Sequence, residues 1–253
     1  MLQIFATKPS SAQENMDMDA RLLEGIVNSL DPFLRFHSWS TPQVFTYGHF
    51  TRVESLLNFE EIQKRKIQTA KRPTGGGVVY HGTDLSFSFL LPSSNAYFSS
   101  DALENYRFVN DIVKNALSEL FGSQSMDMLR DLEKSPKQTN FCMEKPTIYD
   151  VFCEEKEEIA GKEIVIRKKI VGAAQRKKKT GYLHQGTISL AKPDEEFLSA
   201  TLLSEKNVRD AILSYSYAPL QGKWTEEDLN DLRYKVRLLL IRHFREALDN
   251  PLE

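Results

Sequence analysis

Apolar positions along the chain switch between two periods, and the switches mark the elements. From Ser11 the spacing is helical: Met16, Ala20, Leu22, Leu23, Ile26, Val27 and Leu30 recur every three or four residues. Ser11 and Glu14 have capping-box spacing and Asp31-Pro32 closes the segment, which predicts a helix over about 12–29. Asp17, Arg21 and Glu24 fall on its outer face. The pattern then alternates. Over 34–39, Leu34, Phe36 and Ser38 face one way and Arg35, His37 and Trp39 the other; 44–47 is a second short strand. Asn58 caps a short helix over 59–66. Segments 78–81 and 85–91 read as a strand pair joined by the tight turn Gly82-Thr83-Asp84.

Ser100 caps a long helix over 101–120, with Leu103, Tyr106, Val109, Ile112, Val113 and Leu117 inward and Gly122 as its stop. A polar stretch over 123–140 reads as a loop, followed by strands at 149–152, 164–166, 170–172 and 182–190. Beyond Pro193 the period is helical again, over 194–203, 207–215 and a final helix capped by Thr225. Helix, strands, helix, strands, helices: this order predicts an α/β or α+β fold with a mixed central sheet flanked by helices. It is read as a single domain over 1–253, with 193–253 a helical C-terminal extension.

One stretch fits neither period. Arg72-Pro73-Thr74-Gly75-Gly76-Gly77 precedes the strand ending at His81. Three glycines in a row suit neither a helix nor a regular strand, but they allow positive φ and close approach of backbone N–H groups to a ligand. The loop reads as a cradle for something small and anionic, or as a plain glycine-rich turn. The glycines lack the G-x-G-x-x-G spacing and no helix follows them, so a dinucleotide site is excluded; so is a P-loop.

Composition narrows the chemistry. The net charge is −2 with 41% hydrophobic residues, so the chain can bury a core and is no polycation for nucleic acid. Two cysteines, Cys142 and Cys153, make neither a disulfide framework nor a zinc quartet and fit a reducing, cytoplasmic setting. The N-terminus lacks a signal-peptide pattern, and no run has the length of a membrane span. Lys169 leads the small apolar run Ile170-Val171-Gly172-Ala173-Ala174, where it either points into a pocket or edges a hairpin. Cys142 is a free thiol or a nucleophile, and His81 and His184 taken singly suit structural roles. Arg176-Lys177-Lys178-Lys179, with Arg167, Lys168 and Lys169, makes a local positive patch that suits an acidic protein partner, or a solvated hairpin tip.

Together these stretches resemble the lipoate–protein ligase and octanoyltransferase family, which shares a catalytic fold with biotin ligases. Residues 72–81 are similar to its R-x-S/T-G-G-G/R-x-V-x-H loop, and 169–174 to its K-I/V-x-G-S/A-A strand. The arginine-rich glycine loop of biotin ligases is absent. The resemblance implies a biotin/lipoyl-ligase-type domain with a narrow pocket for an octanoyl or lipoyl chain. Arg72, Thr74, Gly75, Gly76, Gly77, His81, Asp150, Gly172, Ala173, His184 and Gly186 would bind substrate, and Lys169 would hold the acyl carbonyl. The acceptor would be a lysine on a lipoyl domain of a 2-oxoacid dehydrogenase or on a glycine-cleavage H protein.

Two reactions share that scaffold. Cys142-Met143-Glu144-Lys145-Pro146-Thr147-Ile148-Tyr149-Asp150-Val151 resembles the segment of cysteine-dependent octanoyltransferases, which implies an acyl-thioester on Cys142, acyl carrier protein as donor and no cofactor. Gly77 is the residue of the ligases, which use ATP and Mg²⁺ to form an acyl-adenylate. Residues 193–253 are too few for the accessory domain of the larger ligases, although some ligases carry it on a separate chain. His184-Gln185-Gly186-Thr187 exchanges His and Gln relative to the family's Q-H-G-S/T. A non-catalytic acyl-binding protein on the same scaffold is a third reading.

Overall fold

A run of alternating serine with phenylalanine and leucine usually leaves one sheet face in water. In the computed structural model the strand Asp84–Pro92 is instead buried along all nine residues, because both of its faces are covered. The structure describes residues 1–122, 126–130, 147–159, 162–203, 209, 212–213 and 216–249. Its strands are β1 (Gln3–Ala6), β2 (Phe33–Phe36), β3 (Val44–Tyr47), β4 (Gln68–Lys71), β5 (Val78–His81), β6 (Asp84–Pro92), β7 (Met126–Met128), β8 (Val151–Ile159), β9 (Lys162–Lys178) and β10 (Gly181–Ser189). Its α-helices are α1 (Ala12–Gly25), α2 (Phe59–Lys64), α3 (Ala102–Phe121), α4 (Glu195–Thr201) and α5 (Glu226–Asp249).

The strands form two sheets, one of seven strands in the order β1-β2-β6-β10-β9-β8-β7 and one of three in the order β4-β3-β5. Each contains one parallel pair, β1–β2 and β3–β4, so both are mixed. On one face of the large sheet Phe87, Phe89 and Leu91 pack with Val109, Val113 and Leu117 of α3 and Val236, Leu240 and Phe244 of α5 in the main core. On the other face Leu23 and Ile26 cover Leu90 and Leu183. Ala12 and Met16, at the other end of α1, pack on Val44 and Ala70 of the small sheet. Helix α1 is therefore a wedge between the sheets, and the space it leaves between them is where the candidate site lies.

The mixed sheet with flanking helices is as expected, and several local readings differ. The strands at 78–81 and 85–91 are not a hairpin. β5 pairs with β3 in the small sheet, and β6 pairs with β2 and β10 in the large one. Gly82-Thr83 thus carries the chain from one sheet to the other. Arg233 of α5 holds that link, donating to the carbonyls of Gly82 (2.7 Å) and Asp84 (2.9 Å). The 193–253 segment contributes to the main core through α5 and is no mere appendage.

Ser11 and Glu14 form the capping box, but α1 stops at Gly25 and Val27 and Leu30 are exposed. Asn15 and Asp19 are buried beside Ala12, Met16 and Leu23, two polar inward positions that the apolar spacing did not include. Helix α3 is capped by Asp101 rather than Ser100. The strands read at 164–166 and 170–172 are one continuous β9, and β1 and β7 lie where no strand was read. Most of the helix read at 207–215 and most of the loop at 123–140 fall outside the described residues.

Candidate active site

Arg72 ends up beneath the glycine loop because β4 runs parallel to β3 and stops beside it. Its guanidinium donates to the carbonyls of Gly75 (3.0 Å) and Gly77 (2.7 Å) and to Thr46 Oγ1 (2.9 Å). Thr51 Oγ1 donates to the Gly76 carbonyl (2.7 Å), so all three glycine carbonyls are tied down. Gly76 has φ 86°, the left-handed region that glycine enters without strain. Gly48 lies so close that a Cβ there would sit 1.9 Å from the Gly76 oxygen. With their carbonyls held, Gly75, Gly76 and Gly77 keep N–H groups that find no acceptor among the described residues. Arg72 is thus a clamp on the glycine loop, and the three glycines themselves are not among the residues lining the neighbouring cavity.

Beside Arg72 a cavity of about 360 Å³, its open mouth included, lies between the sheets. Arg72, Val79 and His81 line one side, Gly172, Ala173 and Ala174 the other, with Met16 and Gln185 between them. Small residues at 172–174 suit this wall, since bulkier ones would project into the gap. Six expected site residues meet here: Arg72, His81, Gly172, Ala173 and Gly186 line the cavity, and Thr74 Oγ1 donates to Gln185 Oε1 (2.6 Å) at its edge.

Two buried polar networks form the walls, and hydropathy did not signal either. In the first, Thr46 Oγ1 lies 2.7 Å from His81 Nε2, and His81 Nδ1 lies 2.8 Å from Asp84 Oδ2. Ser86 (2.6 Å) and Thr187 also donate to that oxygen. Burial pushes the Asp84 carboxyl up, but His81, Ser86 and Thr187 outweigh it and leave the group below the usual carboxylate range. The Trp39 ring lies against His81 at 4.9 Å.

In the second network Asp19 Oδ1 accepts from Arg35 (2.6 Å), and Oδ2 accepts from Ser88 and from Gln185 Nε2, both at 2.6 Å. His37 Nε2 lies 3.1 Å from the same Oδ2, and the Arg35 guanidinium is further held by Asn15. Burial raises the Asp19 carboxyl, yet His37, Arg35 and Ser88 prevail and hold it at about 2. The sequence signal was the alternation Ser86, Ser88 against Phe87, Phe89, with two serines on a face that also carries Arg35 and His37 of the neighbouring strand.

Lys169 and Asp150 are placed differently from expectation. They form a buried ion pair at 2.7 Å, and neither is among the residues lining the cavity. Asp150 also accepts from Tyr106 Oη (2.5 Å) and from the Thr147 N–H (2.7 Å). Tyr106 Oη in turn reaches the carbonyl of cavity-lining Ala173 at 3.4 Å. Lys169 therefore stands behind the small-residue wall. Cys142 lies outside the described residues.

Residues 11–215 match the sequence profile of the lipoyl protein ligase A/B catalytic domain. The chain belongs to that family. An Octanoyltransferase LipM from Exiguobacterium sp. is 26% identical, covering 84% of this chain and 74% of its own. The protein of that name from Exiguobacterium sibiricum is 25% identical over 99% of this chain and 89% of its own. The one from Bacillus subtilis is 24% identical, with 78% and 68% covered. Among solved structures, a lipoate-protein ligase A bound with ATP superposes at TM-score 0.68 with 24% identity, covering 100% of this chain and 86% of that one. A bi-partite lipoate protein ligase from Thermoplasma acidophilum gives 0.66 at 24%, covering 100% and 84%. These structures show the shared lipoyl-ligase fold.

Within the lipoyl ligase family the exchange of His and Gln now has a structural meaning. Side chains alternate along β10, and it is Gln185 that faces the cavity. His184 points the other way, into the main core. It packs beside Phe87 and Tyr106, with Nδ1 2.9 Å from Tyr182 Oη and Nε2 without a partner among the described residues. His184 therefore does not line the cavity, where it was expected; Gln185 does, with an amide that bridges Thr74 and Asp19.

Burial pushes the His184 imidazole down to about 3. Because an unfolded histidine binds a proton below about 6.5, the unfolded state gains protons that the folded state refuses. Stability should thus fall as pH drops from about 6.5 towards 3, by up to about 1.4 kcal/mol per pH unit from this residue. Urea unfolding between pH 4 and 7 should show a shallower slope in His184→Gln than in the parent. An unchanged slope would contradict a neutral His184.

The positive hairpin is also partly spent within the molecule. Arg176 donates to the Pro73 carbonyl (3.1 Å), Lys177 to Ser100 and Lys178 to Glu24; Arg167 and Lys168 pair with Glu154 and Glu155 at 2.9 and 2.5 Å. No described helix is long and apolar enough to cross a membrane.

Proposed function

We propose that the protein is a protein-lipoylation enzyme that moves an octanoyl or lipoyl group onto the acceptor lysine of a lipoyl domain by way of a Cys142 thioester. The observation that carries this is the cavity between the sheets, lined by Arg72 and His81 on one side and by Gly172, Ala173 and Ala174 on the other. It occurs in a chain similar over most of its length to proteins called Octanoyltransferase LipM. The donor is an acyl thioester on acyl carrier protein. The Cys142 thiolate attacks the thioester carbonyl, a C–S bond forms, the donor C–S bond breaks and the carrier thiol leaves with a proton. The acceptor amine then attacks, a C–N bond forms, and the Cys142 thiol is regenerated. A thioester exchanges for a thioester at little cost, so no ATP and no cofactor enter.

On this reading the N–H groups of Gly75, Gly76 and Gly77 would steady negative charge on the acyl oxygen. Lys169, held by Asp150, supplies positive charge behind the 172–174 wall. Acceptors are lipoyl domains of 2-oxoacid dehydrogenases or glycine-cleavage H protein. The Thermoplasma acidophilum ligase was solved as a system with its E2 lipoyl domain, which supports a partner of that kind. Gly77 favours the second reading, an ATP- and Mg²⁺-dependent lipoate ligase forming a lipoyl-adenylate.

The test sets octanoyl-carrier protein without ATP beside lipoate with ATP, each with a lipoyl domain. The first mixture should modify the domain. Modification in the second mixture alone, with release of pyrophosphate, selects the ligase.

A further inference from the structure

A second cavity, of about 610 Å³ with its open mouth included, adjoins the first and shares Val79 and Thr187 with it. Phe45, Val78 and Tyr80 of the small sheet form one wall, and Leu198 and Leu202 at α4 the other. No lysine, arginine or histidine is among its described lining residues. Asp84 stands in this lining. Its Oδ2 collects His81, Ser86 and Thr187, whereas its Oδ1 is buried and has no hydrogen-bond partner among the described residues. Since the carboxyl sits below its usual range, the group is an anion at neutral pH.

A buried carboxylate oxygen with no donor is costly, and an occupant bearing N–H or O–H groups relieves it. The same charge disfavours a phosphate in a compartment without cations. Apolar walls with one buried anionic acceptor therefore suit a slender, uncharged chain interrupted by amides. We propose that this second cavity receives the pantetheine arm of the thioester donor, with Asp84 Oδ1 accepting from one of its amide N–H groups. The acyl chain then enters the adjoining cavity between Arg72 and the Gly172–Ala174 wall, and the shared residues Val79 and Thr187 mark the passage between arm and chain. This rests on the acyltransferase reading, and the donor's one phosphate stays outside.

The probe is S-octyl-pantetheine, a thioether that binds but cannot transfer, measured by calorimetry beside adenosine and ATP. Leu198→Trp fills the cavity, and Leu202→Phe is the second variant should the first fail to fold. Affinity for the probe should fall about tenfold or more in the variant. In turnover, kcat/KM should fall by a similar factor for octanoyl-pantetheine but not for octanoyl S-ethyl thioester, which has no arm. Equal binding by parent and variant overturns the proposal, as does adenosine binding that the variant abolishes while pantetheine does not bind. Failure of the acyltransferase reading shows separately, as absence of transfer by the parent, and the binding measurements still decide what the cavity holds.

Discussion

Asp19→Ala should lower the unfolding free energy by about 3–5 kcal/mol, the penalty for leaving a buried charge without its partner. Arg35 is 1% exposed and its guanidinium would face an empty space. Ser88, His37 and Gln185 would lose the same acceptor. The loss is larger than that of a surface pair, which is worth at most about 1 kcal/mol. The sign of the pH effect follows. The folded carboxyl titrates at about 2, below its unfolded value. Its contribution is therefore present above about pH 4 and fades as pH falls towards 2. Urea denaturation at pH 7 should show the full difference between parent and variant, and the gap should narrow in acid. A loss under about 1 kcal/mol at pH 7 would contradict the network. Because Gln185 hangs from Asp19, the variant should also raise KM for the acyl donor.

Lys169→Ala should reduce transfer by about 10²-fold, the low end of the range for a group touching the reacting atoms, because the Lys169 charge acts from behind the 172–174 wall. The same substitution strands Asp150, which is fully buried, so the fold should weaken as well. These two effects separate in a double variant. Lys169→Met with Asp150→Asn removes both charges and should recover much of the lost stability while leaving transfer as slow as in Lys169→Ala. Recovery of rate along with stability would mean that Lys169 acts only as a brace for the strand.

The sequence made some of this legible for physical reasons. The glycine loop shows because nothing else tolerates its backbone, and the Lys169–Ala174 strand shows because small residues are rare in a sheet unless something needs the space. Asp19, Arg35 and Asp84 did not show, since a hydropathy pattern assigns charges to solvent; Asp19 and Arg35 are buried as a pair, and Asp84 is buried against His81, Ser86 and Thr187. The β5–β6 segment misled for a related reason. Gly82-Thr83 looks like a hairpin turn locally, and only the long-range pairing of β5 with β3 reveals a crossing between sheets. His184 and Gln185 show the limit of a motif. Its residue types were both present, but the alternation of β10 decides which one faces the cavity, and it selects Gln185.

The central claim is that an acyl group passes through Cys142 without ATP. The direct measurement is intact-mass and peptide mass spectrometry after brief exposure to octanoyl-carrier protein, with no lipoyl domain and no nucleotide. The account predicts one octanoyl adduct, mapped to Cys142, labile to hydroxylamine and discharged when a lipoyl domain is added. An unmodified Cys142, with full transfer by Cys142→Ala, would contradict it.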